Sequence, residues 1–523
     1  MHKLKNLFFL LMLLSCTGAW AQHPNKEWYL NYSQKDTMMG IDLIGALKNF
    51  PAPANAKPVI VAVIDNGTDV DHEDLKGNLW VNLNEIPGNG VDDDHNGYID
   101  DINGWDFIGG DENDVTFDNL ELTRLLRDYI ARFGNKTSKD IAKADKADFK
   151  KYKELEKIHA AKLASAKANL ETFKFYKNIT DKVVSEMGIN DFTYKQLKEF
   201  APGAPEAKMG KAFIMMLCDG PTKMTPTEVL EEIKEAYEQY NGSVTYQLNL
   251  DYDPRSTVGD NYRDASERSY GNNEVKGPDG LHGTHVAGII GAVRDNNLGV
   301  QGIAPLVQLM IIRAVPDGDE RDKDVANAIR YAVDNGAKII NMSFGKAYTF
   351  NKAAVDEAVK YAEIKDVLLI HAAGNDAQNN DEESNFPTPV YSNGTVCSTW
   401  IEVGASGMDQ TPCSFSNYGA KTVNVFAPGL EIYNTIPDNK YKWLQGTSMA
   451  SPVVAGLAAV IRAYYPHLTA VQVKSVIEST VVKPEQKVIK PGTKKKKTKY
   501  KKLCTSQGIV NINNALKAAS QIK

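Results

Sequence analysis

The stretch Gly446-Thr447-Ser448-Met449-Ala450-Ser451-Pro452, with the apolar run that follows it, constrains this chain more than any other. From Met449 to Ala463 nearly every residue is small or aliphatic. A helix of that composition is stable only when covered on every side, so it predicts the centre of a layered domain. Pro452 is expected near the first turn, where backbone N–H groups have no partner inside the helix. Ser448 then stands at the helix N-terminus, where unpaired N–H groups and the positive end of the dipole favour developing negative charge. Gly446 leaves room for a second backbone to approach. A serine held this way is a candidate nucleophile, provided that a base and an orienting acid exist elsewhere. Taken alone, it is equally an N-cap on a core helix.

Both partners have candidates. Lys57 to Ile64 (KPVIVAVI) is a near-continuous β-branched run, the pattern of a parallel strand covered on both faces. Asp65 follows at its C-terminal end, where catalytic groups gather in open α/β sheets. His282 opens HGTHVAGIIGA, an apolar helix rich in small residues. His285, one turn on, reads as a structural histidine, because an i, i+3 pair without an intervening glutamate is not a zinc motif. Short apolar strands at Leu309–Val315, Ala337–Ser343 and Val367–His371 alternate with helical patterns at Asp324–Asn335 and Ala353–Ala362. That alternation predicts an α/β fold with a mainly parallel sheet flanked by helices.

With Val63-Ile64-Asp65-Asn66-Gly67, His282-Gly283-Thr284-His285-Val286-Ala287-Gly288, Ala373-Gly374-Asn375 and Gly446 to Pro452, the chain resembles the subtilisin-like serine peptidases. The order Asp, His, Ser is theirs. The resemblance covers roughly residues 40–115 and 245–515. It implies that Ser448 attacks a peptide carbonyl, His282 shuttles the proton and Asp65 orients the imidazole. It implies an oxyanion-hole side chain at Asn375, a substrate-pairing edge at Ser343-Phe344-Gly345 and a further substrate-binding residue at Gly374. Asp376, Asp381, Glu382 and Glu383 crowd the segment expected to wall the specificity pocket. An acidic rim there favours Lys or Arg in the substrate, and a solvated loop is the alternative.

Asp92-Asp93-Asp94-His95-Asn96-Gly97-Tyr98-Ile99-Asp100-Asp101 matches the first nine positions of a calcium loop. Oxygens of Asp92, Asp94, Asn96 and Asp100 and the Tyr98 carbonyl are the expected ligands. Asn103 stands where the twelfth-position glutamate belongs, which leaves Asp101 as the candidate for the missing carboxylate. The expected ion is structural Ca2+.

The N-terminus reads as an export signal. Lys3 and Lys5 precede the apolar run Leu7–Leu14, and Ala19-Trp20-Ala21 fits a cleavage site before Gln22. Leu13-Leu14-Ser15-Cys16 offers the alternative of a lipid anchor at Cys16, the one route by which a membrane partner is expected. The product is then secreted, periplasmic or outer-membrane-associated. Cys218, Cys397, Cys413 and Cys504 allow disulfides in an exported chain, with Cys397 and Cys413 the favoured pair.

The resulting organisation is a signal over 1–21, a lead-in over 22–57, catalytic segments over 58–116 and 246–523, and an inserted helical subdomain over 117–245. The insertion is rich in Lys, Glu, Ala and Leu. Its apolar spacing from Tyr152 to Phe173 is too irregular for a sustained heptad seam, so a helical hairpin or small bundle is expected. A net charge of −6 argues against nucleic acid as a partner. Proteins or peptides are the expected substrates, and nothing in the sequence sets an oligomeric state. The basic run Lys494–Lys497, Lys499, Lys501 and Lys502 reads as a solvated loop or as a surface for an acidic partner. The function expected is an exported serine endopeptidase acting through an acyl-enzyme. The alternative is a non-catalytic or gated binding protein on the same scaffold.

Overall fold

The computed structural model describes residues 24–33, 38–220 and 224–522; the leader, its cleavage site and Cys16 lie outside them. The chain divides into two compact units, one over 122–253 and the other formed by 25–121 with 254–523.

The larger unit is built on a seven-stranded sheet. Its strands are β1 (Val59–Asp65), β2 (Gly104–Asp106), β3 (Val307–Arg313), β4 (Ile339–Met342), β5 (Leu368–Ala372), β6 (Trp400–Ser406) and β7 (Val425–Pro428), in the order β2-β3-β1-β4-β5-β6-β7. Every neighbouring pair is parallel. Alternation along the strands serves two cores at once, as a sheet covered on both faces requires. Val61 and Val63 face a core closed by helices Leu281–Gly291, Thr447–Tyr464 and Ile512–Ala519. Ala62 and Ile64 face one closed by Asp322–Asp334 and Lys352–Ile364.

Helix Thr447–Tyr464 is buried at every residue except Ser448. It is the one described helix long and apolar enough to cross a membrane, and its burial explains that composition. Pro452 is the sixth residue of the helix rather than part of its first turn. Lacking an N–H, it leaves the Ser448 carbonyl four residues back without its helical donor. The Ser343 hydroxyl fills that place, donating to Ser448 O at 3.0 Å.

The lead-in belongs to the core. Trp28, Tyr29 and Leu30 are buried, and the Trp28 indole N–H donates to Glu431 O at 2.9 Å. The expected disulfide is absent: all four described cysteines are thiols, with Cys397 in one core and Cys413 in the other, across the sheet.

The smaller unit is helical. One helix of 42 residues, Lys146–Met187, forms its spine, so of the two forms expected the insertion takes that of a small bundle rather than a hairpin. Pro205–Cys218 and Pro226–Gly242 pack on its C-terminal half around Ile179, Val183, Phe213, Ile214 and Ile233. Tyr176 and Phe213 stack with ring centroids 4.4 Å apart. Thr225 starts the last of these helices with a capping box to Glu228.

Candidate active site

Asp65 ends β1, and His282 opens the helix Leu281–Gly291 beside it. Their side chains meet at 2.6 Å, His282 Nδ1 to Asp65 Oδ1. Asn66 ties the two elements together: its amide donates to Asp279 O, and its oxygen accepts from Gly283 N at 2.9 Å. Nothing local in the sequence signalled that role. Burial pulls the His282 pKa down, but the Asp65 charge and hydrogen bond outweigh it, so the imidazole stays protonated to a higher pH than a free histidine. His282 is one-third exposed, at the mouth of a cleft of roughly 330 Å³ that Asp279, Asp317, Ser343 and Phe344 also line.

His285 is fully buried, with Nε2 within 3.1 Å of the carbonyls of Ile432 and Lys442. Burial lowers its pKa to about 3, so it is neutral and structural.

The Ser448 hydroxyl donates to Ser343 O at 3.1 Å rather than to His282. Contacts between a nucleophile and its base commonly tighten only with substrate bound. Asn375 sits beside the start of the Ser448 helix. Its Oδ1 accepts from the Thr447 N–H at 2.9 Å, which assigns the oxygen and leaves the Nδ2 donors facing away from Thr447. The Thr447 hydroxyl accepts from Gly374 N at 3.1 Å, so Thr447 locks the Ala373-Gly374-Asn375 turn to the helix N-terminus. Gly446, at φ +153°, has room for a Cβ no closer than 3.4 Å to Asn375 Nδ2. The same Cβ would stand 3.6 Å from Ser448 N, so Asn375 Nδ2 and the Ser448 N–H flank one point above Gly446.

Ser343, Phe344 and Gly345 follow β4. Ser343 is held by Asn341 at 2.9 Å and by Ser451 at 2.8 Å. Lys346 and Phe386 exchange backbone hydrogen bonds at 2.9 and 2.8 Å, while Gly345 makes none among the described residues, which leaves its N–H and C=O for a partner strand. Between Gly345 and Gly374 lies Asn385, which sequence reasoning missed. A Cβ at Gly345 would stand 2.5 Å from Asn385 Oδ1, and one at Gly374 would stand 3.6 Å from its Nδ2. Asp381 does not present its Oδ1 to this pocket, because that oxygen accepts from Lys421 N and from Thr422 N and Oγ1.

In the acidic loop, oxygens of Glu85, Asp92 and Asp94 come within 4.8 Å of one another. Glu85 lies outside the expected ligand set. Asp100, which belongs to it, adopts φ +53° and turns its carboxylate to the N–H groups of Gly88, Asn89 and Gly90. Asp101 is engaged by Asn82, Asn96 and Tyr331. Asn96 donates its side-chain amide to Asp94 at 3.3 Å, and its Oδ1 accepts from Tyr98 N at 2.8 Å. Three converging carboxylates with amide neighbours suit a hard cation that takes six to eight oxygens.

Comparison with known proteins agrees with this architecture. A model of the subtilase family matches residues 56–509. Subtilisin DY of Bacillus licheniformis is 40% identical over 203 residues, 38% of this chain and 69% of that protein. Thermitase of Thermoactinomyces vulgaris is 38% identical over 203 residues, 39% of this chain and 67% of that protein. A thermophilic serine proteinase of Bacillus sp. (strain AK1) is 39% identical over the same length, which spans 39% of this chain but only 47% of that protein. The solved structure of the prenylagaramide maturation protease PagA aligns over 46% of this chain and 83% of its own, with 28% identity and a TM-score of 0.39. The chain belongs to the subtilase family, the subtilisin-like serine-type endopeptidases.

Proposed function

We propose that this protein is an exported endopeptidase that cleaves polypeptides through an acyl-enzyme on Ser448. The observation that carries the reading is the 2.6 Å pairing of His282 with Asp65 at a cleft that Ser343, the acceptor of the Ser448 hydroxyl, also lines. His282 takes the Ser448 proton as the hydroxyl oxygen attacks the scissile carbonyl, and then gives it to the leaving amine. Asp65 holds the proton-bearing Nδ1 and stabilises the imidazolium. Asn375 Nδ2 and the Ser448 N–H receive the oxyanion. Water repeats the sequence on the acyl-enzyme and frees the serine. The substrate main chain pairs with Gly345, and its side chain enters between Gly345 and Gly374 as far as Asn385 allows. Export is supported by the basic and apolar leader ahead of Gln22.

Calcium is proposed at Glu85, Asp92 and Asp94, with the Asn96 side chain adjacent. When bound it cross-links the acidic loop and favours the folded state.

Casein hydrolysis and fluorophosphonate labelling test the reading together. Wild type is expected to cleave and to be labelled, and Ser448→Ala to do neither. The rest position of the Ser448 hydroxyl on Ser343 O favours a gated enzyme as the second reading. Labelling without cleavage would establish that one, and folded protein that is neither labelled nor active would refute both.

A further inference from the structure

Between Lys487 and Lys502 the chain carries nine lysines and no acidic residue, on a protein whose net charge is −6. The segment is folded. Val488–Ile489 and Lys497–Thr498 pair as an antiparallel hairpin, and Lys490 N donates to Lys496 O at 2.8 Å. Its base is anchored by buried Val488, Tyr500 and Leu503, with the Tyr500 hydroxyl donating to Gln410 O at 2.7 Å. Lys490 lies over the Tyr418 ring, 4.5 Å from its centroid. Lys494 to Lys497, Lys499, Lys501 and Lys502 are all exposed, and none forms an ion pair among the described residues. A fixed hairpin that gathers this much unneutralised charge bears its self-repulsion on every copy of the fold.

Its position relates it to the candidate active site. Gly492 N donates to Ser414 O at 2.8 Å, and the next residue, Phe415, accepts from Ala377 N at 2.7 Å. A Cβ at Gly492 would stand 3.0 Å from the Ala377 Cβ. Ala377 is two residues beyond Asn375, so the hairpin turn is fixed beside the turn that carries the oxyanion donor. Chain geometry puts the backbone of Lys494 within about 20 Å of Asn375, or about six residues of extended polypeptide.

We propose that this hairpin is a substrate exosite that captures acidic stretches of the polypeptide being cleaved, within about six residues of the scissile bond. The inference rests on the peptidase reading. The chemistry of the hairpin favours this partner. Lysines without arginine supply point charges rather than the bidentate forks suited to phosphate. Tyr500 is buried, so no exposed ring in the hairpin offers a base-stacking platform. An acidic polypeptide approaching a net-negative protein is repelled overall, and the hairpin reverses that field beside the cleft.

The test uses full-length protein and fluorogenic peptides sharing one cleavable core. Six glutamates or six glutamines are attached through a neutral spacer on either side of the core. At low salt, kcat/KM for one of the glutamate-tailed peptides is expected to exceed that of its glutamine counterpart by about tenfold or more, mainly through KM. The gain is expected to collapse in 0.5 M NaCl, where screening is about 4–5 Å. It is also expected to collapse in the variant Lys494→Gln/Lys495→Gln/Lys496→Gln/Lys497→Gln, with cleavage of the glutamine-tailed peptides unchanged. Equal rates on both tails, or a gain that survives in the variant, overturn the proposal. If no peptide is cleaved, the peptidase reading is what has failed, and anisotropy of the labelled peptides on Ser448→Ala protein decides the exosite. Tighter, salt-sensitive binding of the glutamate tail upholds it. Binding of dextran sulfate or anionic vesicles with no preference between the tails overturns it. If the variant misfolds, inhibition of wild type by soluble polyglutamate gives the same decision: competition with the glutamate-tailed peptide alone supports capture, and none refutes it.

Discussion

His282 Nδ1 stands 2.6 Å from Asp65 Oδ1, while Asp65 Oδ2 is buried with no hydrogen-bond partner. Oδ1 also accepts from the Asn66 N–H at 2.8 Å, and the carboxylate charge and hydrogen bond raise the His282 pKa although burial opposes it. A base must be neutral to accept the serine proton, so the acid limb of kcat/KM should lie above about 6.5, the ordinary histidine value. The same sign governs stability. The charged pair stabilises the native state fully below that value, and the contribution is lost as pH rises through the higher native pKa. In Asp65→Asn, kcat should fall by about 10⁴ and the limb should move to lower pH. A wild-type limb centred at or below 6.5, from pH profiles on a neutral chromogenic peptide, would contradict this account.

Thr447 donates to Asn375 Oδ1 from both its backbone N–H, at 2.9 Å, and its hydroxyl, at 3.1 Å, and the hydroxyl accepts from Gly374 N. Asn375→Ala should cost about 10²–10³ in kcat with little change in KM, because the donor acts on charge that develops only in the transition state. Thr447→Val keeps the N–H and removes the hydroxyl. Its loss should be smaller, up to about thirtyfold in kcat, the equivalent of the two hydrogen bonds that the hydroxyl makes to Asn375 and Gly374. Steady-state kinetics on one peptide ester separate the two, and equal losses would show that the hydroxyl rather than the N–H orients the amide.

What could be read in advance follows from what is local in the chain. The residues around Asp65, His282, Asn375 and Ser448 carry their chemistry in contiguous motifs, and the strand and helix patterns between them set the alternation of the sheet. Features made by the fold alone were not legible. Asn385 meets Gly345 and Gly374 only because three separate loops converge. Glu85 is an ordinary acidic residue until the loop turns it toward Asp92 and Asp94. Asp100 has a calcium ligand's spacing, but its positive φ sends the carboxylate to the amides of residues 88–90. Cys397 and Cys413 are near in sequence and are divided by the sheet.

Glu85 and Asp100 both accept backbone N–H groups, Glu85 from Asp94 and Asp100, but only Glu85 also converges on Asp92 and Asp94. If Glu85, Asp92 and Asp94 hold the ion, Glu85→Gln should weaken the dependence of Tm on calcium as strongly as Asp94→Asn does. Asp100→Asn should lower Tm whether or not calcium is present, since its role is to accept N–H bonds from the preceding turn. At calcium a hundredfold above Kd, wild type should gain about 2.7 kcal/mol over chelated protein. Thermal melts across a calcium titration read all of this, and a calcium response untouched in Glu85→Gln would remove that residue from the site.

Asn385 occupies the space between the two walls that would flank the substrate side chain, with its amide donating to Ala372 O at 3.1 Å. If the substrate side chain enters there, Asn385 should restrict it to small or short polar residues. Asn385→Gly should open it, because the glycines at 345 and 374 contribute no atoms that would close the gap. The ratio of kcat/KM for a phenylalanine over an alanine at the cleaved position should then rise by about tenfold or more, in line with the 1–3 kcal/mol that a single methylene group is worth in such pockets. Asn385→Leu, close to asparagine in shape, should leave that ratio near the wild-type value while losing the hydrogen bond to Ala372 O. Peptides varied at that one position measure the ratio in each protein. A preference that is the same in all three proteins would place the specificity pocket elsewhere in the cleft.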